Sequence, residues 1–206
     1  MNRKDVVRAG YDAVADAYFE ARTKDPAGSE DVRLLEDLRL RLPAGATVLD
    51  AGCGAGVPVT RILSESFEVT GVDFSDAQLE RARRLVPQAR FLRADLTSLD
   101  LPDRSFDGIV SYYAVIHIPR EEHPRVLRNF HRMLKPSGVL LACLGEDDEP
   151  GHVDDYYGTP MFWSHYDRET NLRMLRECVF STVWAKTVVD PIWPGATHLF
   201  ALGERA

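Results

Sequence analysis

No stretch of this chain approaches the roughly 20 apolar residues that a bilayer-spanning helix needs, so a membrane partner is not expected. Positive charge is in short supply: 25 Lys plus Arg stand against 32 Asp plus Glu, leaving a formal charge of −7. An acidic surface repels phosphate backbones, which argues against nucleic acid as the main partner. Cysteine is sparse and scattered, at Cys53, Cys143 and Cys178 with no Cys-x-x-Cys pair, and reduced thiols in a cytoplasmic protein are the simplest reading. The histidines are also dispersed and contain no His-Glu-x-x-His pattern, so no metal site is expected. The charged start, Met1-Asn2-Arg3-Lys4-Asp5, is not followed by an apolar segment, which predicts no secretion signal. Internal repeats and low-complexity tracts are lacking too. What remains, 206 residues with 45% hydrophobic and 28% charged, reads as one compact globular domain.

The first 45 residues read as helical. Val7, Tyr11, Val14 and Tyr18 recur at helical spacing, Gly10 weakens the start, and residues 23–28 break the pattern. A second helix is predicted from Ser29, with Glu30 and Asp31 in its first turn and Val32, Leu35, Leu38 and Leu42 inward. From Thr47 strands and helices alternate. Strands are predicted at 47–50, 67–73, 90–94, 106–112 and 139–144. Helices are expected after Pro58, after Ser75 (in capping-box spacing with Gln78) and up to Leu134. Such alternation implies a parallel sheet with helices on both faces. The tail departs from it: after an irregular stretch at 145–166 and a helix at 168–178, strands at 181–189 and 198–202 are joined without a helix. They should be antiparallel neighbours at one sheet edge.

The strongest signal is Val48-Leu49-Asp50-Ala51-Gly52-Cys53-Gly54-Ala55-Gly56, a buried strand entering a glycine loop with a helix directly after. Glycines there allow a sharp turn and a close approach to a ligand. A dinucleotide fingerprint, Gly-x-Gly-x-x-Gly, would need glycine at position 57, where Val57 stands. Asp50 just before the loop disfavours pyrophosphate and suits a ligand bearing an ammonium or sulfonium. Nucleotide-dependent oxidoreduction is therefore disfavoured. Asp73 ends the second strand and Asp95 the third, both on the edge where open α/β sheets bind ligands. An acid in the first position accepts from ribose hydroxyls, and one in the second from an adenine amino group.

With these residues in place the chain resembles a class I S-adenosylmethionine-dependent methyltransferase of the small single-domain kind, over about residues 11–144. The markers are Leu49-Asp50-Ala51-Gly52-Cys53-Gly54-Ala55-Gly56, Gly71-Val72-Asp73-Phe74-Ser75, Ala94-Asp95-Leu96, Phe106-Asp107-Gly108-Ile109-Val110-Ser111 and Met133-Leu134-Lys135-Pro136-Ser137-Gly138-Val139-Leu140. The resemblance implies an α/β, Rossmann-like doubly wound sheet of about seven strands, mostly parallel, with the last strand inserted antiparallel next to the fifth. It implies S-adenosylmethionine as cofactor. Asp50, Ala51, Gly52, Cys53 and Gly54 would hold its methionine part, Asp73, Phe74 and Ser75 the ribose and adenine, and Ala94, Asp95 and Leu96 the adenine edge. Ser111 and Tyr112 would flank the sulfonium. Residues 1–45 would form a helical lid over a methyltransferase domain at 46–206, with Tyr11 and Tyr18 on the cofactor and Arg22 reaching its carboxylate.

The expected reaction is direct in-line methyl transfer to O or N of a small-molecule acceptor. Two alternatives stand beside it: transfer to a protein, peptide or carrier-bound acyl group, and a non-catalytic S-adenosylmethionine-binding module. Positioning supplies most of the rate in such a displacement, and a base is needed only when the nucleophile must lose a proton. His117, a few residues past the fourth strand, is the candidate base. On the acceptor side stand Tyr113 and the stretch 145–166, which mixes acids (Glu146, Asp147, Asp148, Glu149, Asp154, Asp155) with aromatics and is read as a lid. Trp163, His165 and Tyr166 would line its pocket.

Overall fold

The computed structural model describes residues 2–24 and 29–206. Its centre is a seven-stranded sheet in the order β3-β2-β1-β4-β5-β9-β8. Here β1 is Thr47–Ala51, β2 Glu68–Asp73, β3 Arg90–Arg93, β4 Phe106–Ser111, β5 Leu134–Gly145, β8 Phe180–Val189 and β9 Thr197–Arg205. The strands β1 to β5 run parallel, while β9 lies antiparallel between β5 and β8. Residues 135–138, expected as a turn between the helix ending at Leu134 and the strand at 139–144, belong instead to the start of β5, across a register shift and with Ser137 in the left-handed region.

The strand order reverses between β1 and β4, and such a switch point at the C-terminal ends of the strands is where open α/β sheets bind ligands. The central strands are buried on both faces, so each reads as a nearly continuous apolar run rather than an alternation. One face packs on α7 (His123–Met133) and α8 (Arg168–Glu177). The fully buried Leu127, Phe130 and Met133 of α7 contribute about 1.5–3 kcal/mol each by leaving water.

The N-terminal segment differs from expectation in two ways. Helix α1 (Arg3–Ala13) runs straight through Gly10, followed by α2 (Ala15–Thr23). Gly10 is where the helix touches the Met161 side chain: a Cβ there would lie 2.8 Å from Met161 Cε. The expected single helix from Ser29 is two short ones, α3 (Glu30–Arg33) and α4 (Leu35–Arg39), whose Val32, Leu35 and Leu38 are buried against Leu63 and Phe200. That part of the expected lid is therefore core. The break expected at residues 23–28 falls largely outside the described residues.

Residues 145–166 are not irregular. After β5 a hairpin forms from β6 (Glu149–Tyr156) and β7 (Thr159–His165), a two-stranded sheet of its own. Tyr156 pairs with Thr159, so Tyr157 and Gly158 make the turn, both at positive φ (53° and 82°). Such a mirror-type turn matches the strand twist.

Candidate active site

Asp73, at the end of β2, ties the glycine loop in place. Its Oδ2 accepts from Gly54 N–H and its Oδ1 from Ser75 N–H, both at 2.9 Å. Burial raises its pKa, and those N–H donors partly offset the rise. The Gly52 and Cys53 amides both donate to Val72 O. Gly52 sits at φ +87°, and a Cβ on it would lie 2.2 Å from the Ala114 Cβ. Only glycine lets the loop after β4 pass this close. Asp50 is 1% exposed and accepts from Thr60 Oγ1 at 2.5 Å. Burial pushes its carboxyl up to about 7; the Thr60 hydrogen bond opposes the rise and Asp73 adds to it. Asp95, beyond β3, accepts from Thr97 N–H and Oγ1, and Lys4 Nζ stands 3.6 Å from its other oxygen.

These groups wall a cavity of about 100 Å³ at the switch point. Helices α1 and α2 close it, strapped to α6 (Asp76–Leu85) and its cap by contacts that include Ser75 Oγ to Asp12, Gln78 Nε2 to Tyr11 O, and Arg81 to Ala15 O and Asp16. Tyr11 lies across the cavity with its hydroxyl 2.9 Å from His117 Nε2. His117 Nδ1–H donates to Phe162 O at 2.7 Å, so Nε2 is the acceptor and the Tyr11 hydroxyl the donor. Burial lowers the His117 pKa to about 4, leaving the ring neutral. Both ring nitrogens are engaged in this arrangement, Nδ1 with Phe162 O and Nε2 with the Tyr11 hydroxyl.

A second, larger cavity of about 450 Å³ opens beyond this pair. Tyr11, Tyr18, Arg22, Tyr113 and His117 line both cavities and form the passage between them. Arg22 is held there by Asp31 (Nη1 to Oδ2, 2.9 Å), with both side chains buried. Asp31 also accepts from Tyr113 Oη and Val32 N–H. Arg22 is thus paired through Nη1 while still lining both cavities. The far side of the second cavity is the hairpin, through Tyr156, Trp163 and His165, and the loop after β8, through Asp190 and Trp193.

The structure brings Tyr11, Tyr18, Arg22, Asp50, Gly52, Cys53, Gly54, Asp73, Phe74, Ala94, Asp95, Leu96, Tyr112, Tyr113 and His117 onto the wall of the first cavity. Three expected cofactor contacts stand behind that wall. Ala51 is fully buried in β1, Ser111 Oγ donates to Ala51 O, and Ser75 caps α6 while its hydroxyl holds Asp12. Trp163 and His165 line the second cavity, whereas Tyr166 lines neither and packs on His123 and beneath the Arg120 guanidinium. Glu146 and Asp148 are tied to Arg168 and Arg120. Sequence reasoning missed Lys4, Asp12, Asp31, Asp190 and His198. Asp31 carried the signal of a first-turn acid only, and the Asp190–His198 pair (3.0 Å) joins residues with no shared motif.

Residues 48–138 match the model of a family described as "Methyltransferase domain". Among curated relatives, 2-methyl-6-phytyl-1,4-hydroquinone methyltransferase of Synechocystis is 40% identical over 50% of this chain and 33% of its own length. Trans-aconitate 2-methyltransferase of Enterobacter is 34% identical over 61% of this chain and 51% of its own. The dTDP-4-amino-2,3,4,6-tetradeoxy-D-glucose N,N-dimethyltransferase of Saccharopolyspora spinosa is 34% identical over 62% and 51%. The chain thus spans a third to a half of the length of these relatives. Among solved structures, Burkholderia thailandensis 1,6-didemethyltoxoflavin-N1-methyltransferase, with 1,6-didemethyltoxoflavin and S-adenosylhomocysteine bound, superposes with a TM-score of 0.76. It is 22% identical, over 98% of this chain and 88% of that one. The [4+2]-cyclase SpnF superposes with a TM-score of 0.72 at 20% identity, over 96% and 94%. Residues 48–138 thus match a methyltransferase-domain family, and the chain shares the fold of solved S-adenosylmethionine-dependent methyltransferases.

Proposed function

We propose that the protein transfers a methyl group from S-adenosylmethionine to an oxygen or nitrogen of a small-molecule acceptor. The observation that carries this reading is the pair of cavities meeting at Tyr11, Tyr18, Arg22, Tyr113 and His117. One has the acids and glycines suited to an aminoacyl nucleoside. The other has room for a separate molecule.

The residues present fit the cofactor. Asp50 faces the first cavity with a carboxyl that an ammonium would ionise, and Gly54, at φ +51°, leaves open the space a Cβ would fill. Asp73 presents carboxylate oxygens that each retain a lone pair beyond the backbone bond already made. When bound, the cofactor supplies a sulfonium-activated methyl. The chain contributes position and dryness. Tyr11 is fixed over the passage by His117, and His117 by Phe162 O, so His117 acts as a positioning residue. Net charge of −7 supports a small acceptor over nucleic acid, and no helix among the described residues is long and apolar enough to cross a membrane.

Calorimetry with S-adenosylhomocysteine tests the cofactor, and a screen for its release across amine, phenol and carboxylate acceptors tests the reaction. Binding of S-adenosylhomocysteine and loss of binding in Asp73→Ala are expected. Tight NADH binding with none for S-adenosylhomocysteine would overturn the proposal. Because the [4+2]-cyclase SpnF shares this fold, binding without any acceptor turnover would move the reading to a different chemistry or to a non-catalytic module.

A further inference from the structure

The second cavity has walls that methyl transfer as such does not require. Tyr156, at the end of β6, is 9% exposed and lines it. Among the described residues its hydroxyl has no hydrogen-bond partner. Its ring centroid lies 6.3 Å from those of Tyr11 and Tyr18, 5.6 Å from Trp163 and 5.7 Å from Trp193. The rings meet steeply, at 78° for Tyr11 with Tyr18 and 78° for Tyr156 with Trp163, like adjoining walls of a box. Three distant parts of the chain supply them: the N-terminal helices, the hairpin and the loop after β8.

Charge on the same walls is one-sided. Asp147 and Asp190 line the cavity, and Asp190 is fixed by His198 Nε2 and by the Ile192 and Trp193 N–H groups. The lining arginine, Arg22, is neutralised by Asp31. Asp148 is paired with Arg120 and adds little field of its own, while Glu149, Asp154 and Asp155 add to the negative side. An anionic acceptor would meet carboxylates. A neutral one would leave the Asp190 charge with only the hydrogen bonds it already has, whereas a cation adds an opposite charge in a partly dry site. A cation is attracted both by the negative faces of the rings and by the acids, the more strongly when water is excluded.

We propose that this cavity takes the acceptor by an organic cation, an ammonium or quaternary ammonium group held among Tyr18, Tyr156 and Trp163, with Asp190 as counter-charge. It rests on the methyl-transfer reading only in naming the bound cation as the acceptor. The test compares choline with 3,3-dimethylbutan-1-ol, its uncharged isostere, by calorimetry on the full chain saturated with S-adenosylhomocysteine. Choline is expected to bind at least about tenfold more tightly than the isostere. Trp163→Leu and Asp190→Asn should each weaken choline about tenfold with S-adenosylhomocysteine affinity unchanged. Equal affinities for the two probes overturn the inference, as does failure of choline to bind a protein that binds S-adenosylhomocysteine. Failure to bind S-adenosylhomocysteine itself would strike the methyl-transfer reading instead, and the acceptor assignment with it. The comparison of probes needs no variant, so a misfolded mutant does not weaken it.

Discussion

Cofactor binding should expel a proton from Asp50. The carboxyl is buried, with a pKa near 7, and faces the cavity that the ligand ammonium would enter. In the free protein it is about half protonated at pH 7 and about nine-tenths protonated at pH 6. An ammonium in contact favours the carboxylate. Binding of S-adenosylhomocysteine should then release about 0.9 proton at pH 6, 0.5 at pH 7 and 0.1 at pH 8. Ionising Asp50 at pH 6 costs about 1.4 kcal/mol, so affinity there should be about tenfold weaker than at pH 9. Calorimetry in buffers of different ionisation enthalpy reads the released protons directly. Thr60→Val removes the hydrogen bond that lowers this pKa and should move the release to higher pH. Asp50→Asn should abolish it, which separates it from any contribution of Asp73. Binding heats independent of buffer at pH 6 would refute the placement of the ammonium at Asp50.

Gly52→Ala should abolish S-adenosylhomocysteine binding, because its methyl would sit 2.2 Å from Ala114 Cβ at φ +87°; calorimetry with near-normal affinity would count against the loop geometry. Asp31→Ala leaves Arg22 buried without its partner and should cost about 3–5 kcal/mol in urea unfolding, with a cost below about 1 kcal/mol showing the pair to be dispensable. Acid stability carries opposing signs. His117 and His123 are buried with pKa values near 4, so the unfolded chain takes up their protons as pH falls from about 6.5 to 4 and stability is lost in that window. Asp50, with its pKa raised, does the opposite between about 4 and 7. Removing it in Asp50→Asn should therefore steepen the fall of the urea midpoint on acidification, and an unchanged slope would contradict these shifts.

The sheet was legible because its central strands are buried on both faces and end in turn chemistry that local rules describe. Asp50, Asp73 and Asp95 could be placed on one edge from their positions at strand ends alone. The hairpin was hidden for a physical reason: β6 is exposed along nearly its whole length, so it has no alternation to read. Its turn uses Tyr157 at a left-handed position where asparagine or aspartate is the usual signal. Arg22 with Asp31, and Asp190 with His198, are tertiary pairings that no spacing rule anticipates. The environment of His117, unlike its position, is invisible in the sequence: burial and two hydrogen bonds change what the ring can do.

Met161 packs onto Gly10 where the first helix crosses the hairpin, and Asp12, on the same helix, is latched to Ser75. The roofs of both chambers are thereby one mechanical piece. Moving that helix to open the first chamber would also shift its contact with the hairpin that walls the second, so the two chambers are coupled through the Gly10–Met161 contact.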